Sequence, residues 1–85
     1  MLTMLQPLLV LTNVPDAALA RALAQQLVEQ RLAACVNILP AVQSIYQWQG
    51  AVEQAYEITL LIKTEQARYA QLEASIKAMR PYHVP

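Results

Sequence analysis

Few residues of this chain have side chains that could do chemistry. Cys35 is its only cysteine and His83 its only histidine. Cys35 sits in the run Arg31-Leu32-Ala33-Ala34-Cys35-Val36-Asn37-Ile38-Leu39-Pro40. A lone thiol in such an apolar run is either a small buried hydrophobe, packing like Ala or Val, or a soft ligand for copper or a similar metal. His83 follows Pro81-Tyr82 in an extended segment, where an imidazole serves as a surface or interface hydrogen-bonding group or as a metal ligand. Glu53 and Glu57 share one face of a strand roughly 13 Å apart, too far to grip one ion unless a second strand or subunit intervenes. Otherwise they are solvated or interface charges, with Lys63 as a counter-charge. Tyr46 and Trp48 alternate along the chain and suit core packing or a subunit contact.

Several chemistries are excluded. There is no CxxC pair, which removes a paired-thiol copper chaperone. A single glycine cannot build a phosphate-binding loop. No basic, aromatic RNA-binding strand occurs. Nothing in the sequence orients Cys35 toward His83 as a nucleophile and base, and no other acid/base pair can be assembled, so an enzyme is not expected.

The elements that must position these residues start from composition. With 85 residues the chain is one domain, near the lower size limit for a core without staples, and its single cysteine rules out an internal disulfide. Hydrophobic residues make up 56% and charged residues only 14%. So small a domain has little interior, so part of the apolar surface is expected to lie against another subunit. Six basic residues balance six acidic ones, which argues against nucleic-acid and polybasic membrane partners. No apolar run approaches the roughly 18 residues of a membrane span, and the start of the chain lacks the features of a signal peptide. The expectation is a soluble, cytoplasmic protein.

Residues 6–12 read as a short buried strand. Asn13-Val14-Pro15-Asp16 then opens a helix, with Thr12 or Asn13 as cap, Pro15 in the first turn and Asp16 complementing the helix dipole. Leu19, Leu23 and Leu27 carry this helix to about Arg31 or Leu32. Residues 34–39 read as a strand, broken by a bulge or bend at Pro40 and resumed over 42–49. Gly50 marks a hairpin turn. The return strand, 51–64, places Val52, Tyr56, Ile58, Leu60 and Ile62 on a core face and Glu53, Glu57, Thr59 and Lys63 on the other. Thr64 caps a second helix with the stripe Tyr69, Leu72, Ile76 and Met79, and Pro81 stops it. The pattern is βαββα, and the chain ends where a last strand should run. It predicts an α+β, ferredoxin-like βαββαβ sandwich with a long central hairpin and an incomplete C-terminus.

These stretches together resemble the CutA divalent-cation-tolerance family over essentially the whole chain. The likeness rests on Val10-Leu11-Thr12-Asn13-Val14-Pro15-Asp16, Arg31-Leu32-Ala33-Ala34-Cys35-Val36-Asn37 and Ser44-Ile45-Tyr46-Gln47-Trp48-Gln49-Gly50. It continues through Glu53, Tyr56-Glu57, Leu61-Ile62-Lys63-Thr64 and Pro81-Tyr82-His83-Val84-Pro85. The resemblance implies a ferredoxin-like fold in a homotrimer like that of the PII signalling proteins. It also implies a cytoplasmic role in tolerance to copper and other divalent cations, without an established catalytic activity. Copper ligands reported for some members fall here on Thr12 and on Met79-Arg80, where Arg80 cannot ligate and Met79 belongs to the apolar stripe. The metal candidates that remain are Cys35 and His83, meeting across a subunit boundary, with Glu57 as oxygen donor. Two other readings stand beside this one. One is a PII-like sensor of a small molecule or anion, with Lys63, Arg80 and Tyr82 near the intersubunit cleft. The other is a structural, partner-binding trimer.

Overall fold

A computed structural model describes residues 6–79. Strand β1 (Pro7–Val14) alternates: Thr12 and Val14 are buried, whereas Leu9 and Leu11 are 64% and 65% exposed. The continuous apolar run suggested a strand buried on both faces. Within one chain only its even-numbered face is covered.

The following helix, α1 (Ala17–Glu29), is capped by Asp16, whose Oδ1 accepts from the Leu19 amide at 2.8 Å. This corrects the expectation that Thr12 or Asn13 caps the helix, for both are still in β1. Asn13 Oδ1 instead accepts from Thr59 Oγ1 at 2.7 Å across the sheet. Pro15 lies before the cap rather than in the first turn. Ala20, Leu23, Ala24 and Leu27 form the buried stripe.

The helix ends in a Schellman arrangement, two residues short of the expected boundary. The Arg31 amide donates to Val28 O at 3.0 Å and the Leu32 amide to Leu27 O at 2.9 Å. Both leucine side chains enter the core as the motif's apolar contact. The geometry needs a left-handed residue, and Arg31 adopts φ +59°. Glycine is usual there; a side chain with a Cβ costs on the order of 1 kcal/mol.

Strands β2 (Cys35–Trp48) and β3 (Ala51–Glu65) form the long antiparallel hairpin. Trp48 pairs with Ala51, so the loop is two residues, Gln49 and Gly50. The lone glycine predicted the hairpin turn, and the φ values of +50° and +80° are those of type I′. The expected irregularity at Pro40 is present: Leu39 pairs with Thr59 and Val42 with Glu57, so β2 carries one extra residue. That residue reverses which side of the sheet the rest of β2 faces. Before the bulge the odd-numbered residues lie opposite odd-numbered β3 residues; after it the even-numbered ones do.

β3 lies between its neighbours in a sheet of order β1-β3-β2, antiparallel to both. Thr64 does not cap a helix. It remains in β3, 2% exposed, and its hydroxyl donates to Leu32 O at 2.7 Å. A 3-10 turn (Gln66–Arg68) intervenes before helix α2 (Tyr69–Met79). Leu72 and Ile76 are buried and Met79 packs against the core, as the stripe predicted. Tyr69 sits at the surface, and its hydroxyl donates to Glu73 at 3.0 Å. Pro81, expected to stop α2, falls with the rest of the C-terminal segment outside the described residues.

Both helices cover one face of one end of the sheet. Leu23, Leu27, Leu60, Ile62, Leu72 and Val14 are the largest apolar side chains of that core. The hairpin continues past it, giving principal extents of 47 × 23 × 20 Å. The radius of gyration is 13.9 Å, against the roughly 11–12 Å of a compact domain this size. The core face expected for β3 therefore holds only from Ile58 onward. Val52 and Tyr56 share that face but are 67% and 73% exposed.

Candidate metal-binding residues

Strand register decides which candidate ligands can meet. Cys35 opens β2 opposite Lys63, and Glu57 lies opposite Val42. Lys63 and Glu57 are an even number of residues apart on β3, so Cys35 and Glu57 point to the same, helix-free face. Six residues of strand separate their levels, roughly 20 Å. One ion cannot be shared over that distance within one chain. Cys35 is a half-buried free thiol. Glu57 is also half-buried, and its Oε2 accepts a long hydrogen bond of 3.4 Å from Ser44 Oγ.

Lys63 is as far from Glu57 as Cys35 is, so it does not act as the expected counter-charge. Among the described residues the ion pairs are Arg68–Glu65 and Lys77–Glu73, and neither involves Glu53 or Glu57. The same residues contain no group of three or more His, Cys, Asp or Glu side chains that could hold a metal. His83, Arg80 and Tyr82 lie outside the described residues.

Thr12 lies on the helix-covered face, buried, with no hydrogen-bond partner for Oγ1 among the described residues. The ionisation of Tyr69 is displaced: its hydrogen bond to Glu73, then the charge of that carboxylate, raise it above the ordinary 10.0. It stands on the solvent side of α2, away from Cys35 and Glu57.

A cleft of about 320 Å³ opens at the end of the sheet opposite the hairpin tip, with Arg31 and Arg68 in its lining. In the sequence Arg31 stands out only as a helix end and as part of a motif, and Arg68 does not stand out at all. The available signal was an arginine where a helix stop favours glycine.

The sequence matches the family described as "CutA1 divalent ion tolerance protein" over residues 8–85. The chain belongs to the CutA1 family. The "Divalent-cation tolerance protein CutA" of Thermus thermophilus is 50% identical over 76 residues, which span 89% of this chain and 74% of that protein. A solved CutA1 structure from the same organism superposes with a TM-score of 0.90 at 48% identity, covering 94% of this chain and 78% of that one. CutA1 from Oryza sativa superposes with a TM-score of 0.91 at 35% identity, covering 96% and 75%. Membership in the CutA1 family thus agrees with the resemblance read from the motifs, and the α+β arrangement of three antiparallel strands and two helices is that of solved CutA1 structures.

Proposed function

We propose that this chain is a divalent-cation tolerance protein that binds copper or a similar divalent cation as a homotrimer. The observation that carries the reading is the family match together with 50% identity to a protein named for divalent-cation tolerance. We read the fold as ferredoxin-like: the order β1-β3-β2 with both helices on one face leaves the outer edge of β1 for a fourth strand.

Assembly is supported by two uncovered apolar surfaces. Leu9, Leu11, Tyr46 and Trp48 stand on the helix-free face, and Ile45, Val52 and Tyr56 on the other side of the projecting hairpin. Apolar surface on this scale marks a protein interface. Packing of three hairpins in a PII-like manner covers both. It also supplies the second chain that the metal reading requires, because Cys35 and Glu57 of one chain are too far apart. In this reading Cys35 of one copy, with His83 and Glu57 from neighbouring copies, presents a sulfur, a nitrogen and an oxygen donor, a set suited to copper. The role is binding rather than catalysis, in the cytoplasm, where Cys35 stays a thiol.

Copper titration followed by calorimetry tests the site. Cys35→Ser and Glu57→Gln are each expected to weaken binding at least tenfold while the oligomeric mass is unchanged. Equal affinity in wild type and Cys35→Ser removes Cys35 from the site.

A further inference from the structure

The cleft at the C-terminal end of α1 carries a second and separate capability. It is lined by Val28, Ala33 and Ala34, by Thr64 and Glu65, and by Arg31 and Arg68. Its volume, about 320 Å³, is at the lower end of small-molecule sites. Two guanidinium cations against one carboxylate leave it one positive charge in excess.

The hydrogen bonding shows which donors are free. Arg68 Nε donates to Glu65 Oε1 at 3.1 Å, and this contact holds the planar fork in place. Among the described residues its two terminal nitrogens donate to nothing, and the Arg31 guanidinium makes no hydrogen bond. The other donors nearby are already committed. Thr64 Oγ1 donates to Leu32 O, the Ala34 amide to Lys63 O and the Ala33 amide to Leu27 O. The Glu65 carboxylate is engaged through Oε1 by Arg68, and the donors left to meet a ligand are cationic and planar, the kind that recognise carboxylate and phosphate in pairs.

Arg31 strengthens the case. Its left-handed backbone favours glycine, so a guanidinium stands at the one residue of the helix stop where a side chain is least comfortable.

We propose that this cleft binds a small organic anion through one carboxylate or phosphate group, held between Arg31 and Arg68. The ligand's remainder lies against Val28 and Ala34. The site lies within a single chain and is independent of the metal ligands proposed above.

The test is an amide NMR titration of the full chain, freed of metal by passage over a chelating resin, at constant ionic strength. The probes are inorganic phosphate, glucose 6-phosphate and succinate. Saturable shifts are expected at residues 31–34 and 64–68 with at least one probe. Response to the two phosphates alone identifies a phosphate ligand, and response to succinate a carboxylate. Arg31→Gly is expected to weaken binding roughly tenfold or more, with a thermal midpoint no lower than wild type because glycine suits the backbone there. Arg68→Lys, which keeps the charge but loses the fork, is expected to weaken binding as well. No saturable shift with any probe, shifts centred elsewhere, or wild-type affinity in Arg31→Gly overturns the proposal. Because the titrated protein is metal-free, failure here leaves the copper reading untouched, and the copper titration leaves this one untouched.

Discussion

The two halves of the β2–β3 hairpin are built from similar residues and meet opposite fates. From Ile58 to Thr64, β3 lies under α1 and α2, and Leu60 and Ile62 are fully buried. From Ala51 to Tyr56 the same strand carries Val52 and Tyr56 on that face, with Gln54 between them and no helix above, and both are mostly exposed. Apolar residues at strand spacing therefore show where a surface wants cover, while what supplies the cover differs between the halves. The near half is covered by its own helices. The far half has no cover within this chain, and the proposed trimer would supply it.

The largest effect expected from breaking this comparison is in the near half. Leu60→Ala removes a fully buried side chain and should cost about 2–5 kcal/mol in denaturant unfolding. Val52→Ala should cost about 0.5 kcal/mol or less in an isolated chain. A cost that rises with protein concentration would show that a partner covers the far half. Next, the double variant Trp48→Asp/Tyr56→Asp is expected to lower the mass measured by light scattering to that of one chain, with the helical circular dichroism retained. An unchanged mass would sink the assignment of the hairpin to the interface.

Gly50→Ala gives a smaller effect. Nothing lies within 4 Å of the added Cβ, so only the backbone at φ +80° resists it. The cost should be about 1 kcal/mol, seen as a lower denaturation midpoint. The smallest effect lies on the helix side. Tyr69 has a raised pKa in the folded state, so its bond to Glu73 stabilises fully below 10.0 and is lost as pH rises through the higher folded value. Ultraviolet titration should place its ionisation above that of free tyrosine, and Glu73→Gln should bring it down.

Much of the fold was legible because it follows from local rules. The period of Leu19, Leu23 and Leu27, the stripe of Leu72 and Ile76, the glycine at the turn and the bulge at Pro40 each have a cause within a few residues. The helix starts were less legible. Asp16, Asn13, Thr12 and Thr64 all have side chains that can cap, and which one does so depends on where the preceding strand stops pairing. Thr59 claims Asn13, and Leu32 O claims Thr64. Of the candidate site, residue types were legible and distances were not. Cys35 and Glu57 prove to share a face of the sheet yet stand about 20 Å apart along it.

By itself the sequence determined the family, the order of elements, the turn and the excess of apolar surface, since motifs and periodicity are properties of neighbouring residues. Tertiary structure alone decided the rest. The extra residue at the bulge put Tyr46 and Trp48 on the helix-free face, register separated the thiol from the carboxylate, and the helix stop brought Arg31 into one cleft with Arg68. Each depends on strands and helices far apart in the chain, whose alignment is set by the packing of the whole core.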